Sequence, residues 1–125
     1  MDQLNSAFDE KLGLEITKAT AEEVRGQAPI AGNTQPAGRW HGGASAAMIE
    51  TLGSIGASEW AGDGKVALGT ELSVSHLKGA RGDYVQGVAN AQHLGSTSAV
   101  YTVELTDSED RLIAIGRLTC RIISA

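Results

Sequence analysis

Only one stretch of this chain has the length and composition of a long helix, and four period-two stretches follow it. From Gly42 to about Trp60 the residues turn helical, and Gly62-Asp-Gly64 ends the run. Ala44, Ala47, Met48, Thr51 and Ile55 recur on one face at helical spacing. Val66, Leu68, Thr70, Leu72, Val74 and His76 then share one face of a first strand. Tyr84–Leu94, Thr97–Thr106 and Leu112–Ile123 read as three more, with turns at Lys78–Asp83 and Asp107–Asp110. Such alternation implies a sheet with one buried face, and a single helix must cover it. Consecutive strands joined by short turns predict an antiparallel meander. The expected fold class is α+β, with one long central helix wrapped by a curved antiparallel β-sheet.

The residues before the helix add smaller elements. Asn5 to Lys11 reads as a short helix stopped at Gly13, and Leu14–Ala19 and Glu22–Ile30 as two strands. Ala31 to Arg39, with its Gly, Asn and Pro, should be an irregular loop. Inside the long helix Gly53 and Gly56 each cost about 1 kcal/mol relative to alanine. With Ala46, Ala47 and Ala57 they make a thin helix, which a strongly curved sheet can enclose closely. The alternative is a helix that breaks at Gly53.

Composition narrows the function classes. The chain has 125 residues, a size that fits one domain spanning 1–125. A net charge of -5 argues against a nucleic-acid partner, which needs a broad basic face. Cys120 is the one cysteine, so no internal disulfide forms and a reducing cytoplasm fits. The opening MDQLNSAFDEKLG is too polar and acidic for a signal peptide, and no apolar run reaches membrane-spanning length. The three histidines and one cysteine have no metal-ligand spacing, so no metal is expected. Gly42-Gly43 is no phosphate loop, since no Gly-Lys-Ser/Thr follows, and Gly43-Ala-Ser45-Ala-Ala47 lacks the second glycine of a nucleophile elbow.

The chemistry concentrates in Gln35-Pro-Ala-Gly-Arg-Trp-His41-Gly-Gly-Ala-Ser-Ala-Ala-Met-Ile-Glu50-Thr-Leu-Gly-Ser54. Glu50 and Ser54, spaced i, i+4, project from one helix side about a turn apart. Met48, Ile49, Thr51 and Leu52 flank Glu50 and would desolvate its carboxylate. Gly42 and Gly43 present unhindered N–H groups at a helix N-terminus, where the dipole favours negative charge. Such a site can hold the oxyanion of a tetrahedral intermediate. Glu50 lies about 12 Å further along the axis, too far to serve a carbonyl held at Gly42 of the same helix. The spacing therefore predicts a dimer, with antiparallel helices related by a two-fold axis and the site at the interface.

At these residues the chain resembles the hotdog-fold thioesterases of the 4-hydroxybenzoyl-CoA thioesterase type. The resemblance rests on His41-Gly-Gly-Ala-Ser, Gln35 six residues before it, Glu50 nine after it and Ser54 one turn on. It extends through Gly69-Thr-Glu-Leu-Ser-Val-Ser-His76, His93-Leu-Gly-Ser-Thr97 and Asp110-Arg-Leu-Ile-Ala114. It implies a hotdog fold and hydrolysis of an acyl- or aroyl-coenzyme A, or of an acylated carrier protein. Coenzyme A is then part of the substrate, no further cofactor is needed, and dimers pair into a homotetramer. The resemblance also implies roles. Gly42 N–H would polarise the thioester carbonyl, with Gln35 oriented toward it, and Glu50 would be nucleophile or general base. Ser54 would position water or the intermediate, and His41 would order the loop. His76 would lie near the acyl group, and Ser96 and Thr97 would touch the nucleotide.

Relatives often carry Arg-Pro where this chain has Lys78-Gly79, so Lys78 stands in for a phosphate-binding arginine. Arg81, Arg117 and Arg121 are possible substitutes. Simpler readings exist beside these: His76 as a core histidine, His93 as structural, Ser96 and Thr97 as a turn, and Arg81-Gly-Asp83 as a hairpin turn. Three function classes follow: a thioesterase, a hydratase or dehydratase acting at C2 and C3 of the acyl chain, and a silent acyl-CoA-binding module.

Overall fold

A computed structural model describes residues 5–125. The elements run α1 (Ala7–Leu12), β1 (Glu15–Ala19), β2 (Glu23–Pro29), α2 (Gly42–Ala61), β3 (Lys65–His76), β4 (Tyr84–Leu94), β5 (Ser98–Asp107) and β6 (Leu112–Ser124). Helix α1 starts where Ser6 and Asp9 cap each other. The Ser6 hydroxyl accepts from Asp9 N–H at 3.2 Å, and the Asp9 carboxylate accepts from Ser6 N–H at 3.1 Å. Gly13 ends it with a φ of 77°, in the left-handed region. No helix among the described residues is long and apolar enough to cross a membrane.

The six strands form one antiparallel sheet in the order β1-β2-β4-β5-β6-β3, folded around α2 as a hotdog. The expected meander holds only for β4, β5 and β6. Strand β3 does not pair with β4; it lies at the far edge along β6, from Lys65 opposite Ser124 to His76 opposite Ala114. The free side of β4 goes to β2 instead. The turn expected at Lys78–Asp83 is instead a crossover: segment 77–83 can reach about 23 Å when extended, more than the ~14 Å of three strand spacings. Alternation tells which face a residue takes, and says nothing about which strand lies beside it.

That crossover is tied down at the β5–β6 turn. Leu77 and Lys78 N–H groups donate to Ile113 O at 2.7 and 3.2 Å, and the Arg111 guanidinium donates to Gly79 O at 2.6 Å. The anchor is Asp107, buried to 1% exposure. Its carboxylate accepts from the N–H groups of Arg81, Glu109 and Arg111 and from the Arg111 guanidinium. Burial alone would push its pKa up. The hydrogen bonds from Arg81, Arg111 and Glu109 win and hold it at about 2, below the ordinary 3.8. A folded pKa below the unfolded one means stability present above pH ~4 and lost as pH falls toward 2. Asp107→Asn should therefore cost about 2 kcal/mol at pH 7, and the gap should narrow at pH 2.5 in denaturant titrations. A gap that ignores pH would show that the charge is not what matters.

Helix α2 runs unbroken through Gly53 and Gly56. A methyl at Gly53 would lie 2.7 Å from Leu118 Cδ2, and one at Gly56 would lie 2.6 Å from the Tyr101 ring. Tyr101 cannot retreat, since it is fully buried and its hydroxyl donates to Ala21 O. Burial pushes that phenol up to about 12. The sheet reciprocates, with Leu52 seated over Gly26 and Gly87 and Ile49 over Gly116. Helix and sheet thus interlock through each other's glycines, which is how the sheet closes on a thin helix.

Two face assignments need correction. Ala47 and Thr51 are only half-buried, whereas Ser45, Ile49, Leu52, Gly53 and Gly56 join the buried set. The sheet wraps more than one side of α2, so the buried stripe is wider than a surface helix would show. Thr51 faces α1 and donates to the Asp9 carboxylate at 2.7 Å. In β3 the register slips between Gly69 and Glu71. Such a bulge reverses the alternation. Val66 and Leu68 are exposed, while Ala67 and, beyond the slip, Val74 pack on the core.

Candidate active site

The site begins with how α2 starts. His41 is extended at φ -79° and ψ 131°, and its Nδ1 accepts from Gly43 N–H at 2.7 Å. Ala44 N–H donates to His41 O at 2.9 Å, and His41 N–H to Asn33 O at 2.9 Å. The Gly42 N–H has no partner among the described residues. It is the one donor at this terminus that remains for a ligand. His41 thus orders the loop, as the resemblance implies, and it does so as a helix cap. Trp40 locks the same corner: its buried indole N–H donates to the buried Ser45 hydroxyl at 2.8 Å. Sequence reasoning passed over this pair, although a tryptophan beside the capping histidine was its signal.

Gln35 sits in the preceding loop, a small hairpin in which Thr34 bridges Trp40. Its N–H donates to Arg39 O at 2.8 Å, and its side-chain carbonyl accepts from Ala37 N–H. In the single chain it lines neither of the clefts described next.

Two clefts divide the remaining groups. The first, about 340 Å³, is lined by Gly42, Trp40, Ser45, His76, Lys78 and Ile113 among others. The His76 ring packs on Gly42, where a methyl would lie 2.9 Å from its Cε1. His76 is exposed at the end of β3, so it is not a core histidine. The second cleft, about 330 Å³, is lined by Glu50, Ser54, Thr51, Asp9, Ser58 and Glu59 with Ile55. Met48, Ile49 and Leu52, the sequence neighbours of Glu50, turn into the core. Glu50 itself is half-buried, with Oε2 lying over Gly69 of β3. Beside it the Cys120 thiol is pushed up to about 11, by burial first and by the Glu50 charge second, against a hydrogen bond from Ser54. One chain therefore brings Gly42 to His76 and Lys78, and Glu50 to Ser54, and keeps the two groups apart.

Ser96 and Thr97 are exposed in the β4–β5 turn, next to Gly95, whose carbonyl accepts from Trp60 at the C-terminal end of α2. They lie at the opposite end of the helix from Lys78. A further cleft of about 500 Å³ gathers Arg39, Lys78, Arg81 and Arg111. Arg111 is neutralised by Asp107 at 2.8 Å, leaving three cations there without an acidic partner among the described residues. Arg117, by contrast, pairs with Glu71 at 2.8 Å. Arg39 was not anticipated, because it comes from a different segment than its companions.

Residues 37–114 match the family model described as the thioesterase superfamily. ComA2 of Bacillus subtilis is 39% identical over 116 residues, 91% of this chain and 92% of that one. The proofreading thioesterase EntH of Cronobacter turicensis is 36% identical over 115 residues, 91% of this chain and 84% of that one. A thioesterase crystal structure from Haemophilus influenzae superposes with a TM-score of 0.92 at 28% identity, covering 98% of this chain and 87% of that one. With the hotdog fold, the open helix terminus and the matched span together, this chain belongs to the thioesterase superfamily.

Proposed function

We propose that the protein hydrolyses the thioester of a small acyl- or aroyl-coenzyme A, or of an acylated carrier protein, to free acid and thiol. The observation that carries this reading is the unpartnered Gly42 N–H at one end of a helix whose other reactive group, Glu50, faces a different cleft. Paired with a second copy about a two-fold axis, its α2 antiparallel to the first, each Gly42 meets the partner's Glu50 in one site. The Gly42 N–H then takes the developing oxyanion as the carbonyl carbon is attacked. As general base, Glu50 accepts the proton of the attacking water. The tetrahedral intermediate collapses, the C–S bond breaks, and the thiolate takes that proton back. As nucleophile, the Glu50 carboxylate itself attacks, the thiolate leaves, and water opens the resulting anhydride. Ser54 holds the water, and Gln35 adds a second donor near the carbonyl.

The exposed edge of β3, with Val66, Leu68 and Leu72 uncovered, supports assembly, since an unpaired apolar edge favours a partner. Dimers pairing into a homotetramer, in the cytoplasm, complete the proposal. His76 lies toward the acyl group, while Lys78, Arg39 and Arg81 suit a phosphate-bearing arm. Ser96 and Thr97 suit the nucleotide of a substrate reached from the other subunit.

The test is thiol release from aryl and aliphatic thioesters, on both coenzyme A and carrier protein. Release of free thiol is expected; hydration of an enoyl chain without it would favour a hydratase, and no turnover a silent binding module. Lys78→Ala should raise KM for the coenzyme A substrate with little change in kcat, and salt should shrink the effect. An unchanged KM at low salt would favour the carrier protein as donor.

A further inference from the structure

Gly69 is a glycine whose backbone does not require one. Its φ is not positive, and it sits in the extended strand β3 opposite Cys120. Its side-chain space is nevertheless occupied. A methyl built there would overlap Glu50 Oε2 and lie 3.2 Å from Glu50 Cδ, while its other neighbour, Leu118 Cδ1, is at an ordinary 3.4 Å. The helix side chains that approach Gly26, Gly87 and Gly116 are apolar; the one that approaches Gly69 is a carboxylate.

The bulge beside Gly69 matters equally. Gly69 and His76 both face α2, one beneath Glu50 and the other against Gly42. They are an odd number of residues apart, so a regular strand would send them to opposite faces. The register slip between Gly69 and Glu71 brings both to the helix. From this geometry we infer that Gly69 is a positioning residue for Glu50, its missing side chain setting how deep the carboxylate rests, with the bulge holding that seat toward the helix.

The inference rests on the proposed role of Glu50, and the two can fail separately. Kinetics are measured with benzoyl- and hexanoyl-coenzyme A by thiol release, alongside melting temperature and sedimentation. Gly69→Ala should lower kcat roughly a hundredfold, as expected for a misplaced reacting group, with KM nearly unchanged. Its melting temperature should not fall, because alanine suits an extended strand and restricts the unfolded chain. A merely structural role would move the melting temperature instead. Glu50→Asp shortens the carboxylate and should be impaired alone. Combined with Gly69→Ala it should outperform Gly69→Ala by about tenfold or more, since overlapping groups are not additive.

Wild-type kcat in Gly69→Ala, or strictly additive losses in the double variant, would overturn the inference. If Gly69→Ala misfolds, the double variant should fold, because its overlap is gone; a double variant that also misfolds overturns the inference too. Full activity in Glu50→Gln would instead place the failure in the Glu50 reading.

Discussion

Replacing Glu50 by glutamine should lower kcat at least about a hundredfold while leaving KM close to that of the wild type. Glutamine keeps the size of the side chain and its place over Gly69, so the change is in charge and basicity alone. In the proposed reaction, binding rests on other groups: the first cleft, the cations around Lys78 and the acyl pocket. If the carboxylate is the nucleophile the loss is larger, because the covalent route closes. Single-turnover experiments in H₂¹⁸O separate the two routes. A nucleophilic Glu50 takes up label that a general base does not. A Glu50→Gln enzyme with normal kcat would remove this residue from the chemistry.

The second large effect is at the other end of the helix. Gly42 occupies the first helical position, where proline is well accepted and only the N–H is lost. His41 already has the extended backbone that a following proline demands. The ring also meets His76, but that side chain is exposed and its imidazole can move aside. Gly42→Pro should keep the helix and lower kcat by about 10²–10³, the usual cost of one oxyanion donor. Mixing the two inactive proteins gives the decisive result. With subunits free to exchange, half the dimers are mixed and half the sites in each are intact, so about a quarter of wild-type activity should return. No recovery, in a mixture shown by mass spectrometry to have exchanged, would mean that both groups act within one chain.

What the sequence revealed, and what it hid, follows the range of each interaction. The open Gly42 N–H and the Glu50–Ser54 pair are set within a few residues, so their spacing could be read directly; the Gly43 N–H, expected to be open as well, is instead taken up by His41 Nδ1. The thin helix was legible as well, because Gly53 and Gly56 are hard to justify in a helix unless something presses on them. Leu118 and Tyr101 do press on them, yet nothing near either glycine names those partners. The placement of β3 along β6 was not legible, because it depends on Asp107 holding segment 77–83 across the sheet end. The bulge at residue 70 was hidden for the same reason: it is a mismatch between strands distant in sequence. Arg39, Lys78 and Arg81 looked unrelated until the crossover brought them together.

The sheet order also constrains how the molecule can be made. Among the six strands β6 comes last in sequence, but it lies between β5 and β3. During synthesis β3 is finished well before the strand that must receive it, and its apolar side chains wait without a sheet. Pairings of such long range are slow to form, because the loop must close before any contact is gained. Until Leu112–Ser124 has left the ribosome, Gly69 and His76 have no scaffold, so neither end of α2 is in register. The nascent chain therefore passes through an aggregation-exposed interval, with shielding by a chaperone or an early partner strand most valuable just before β6 emerges.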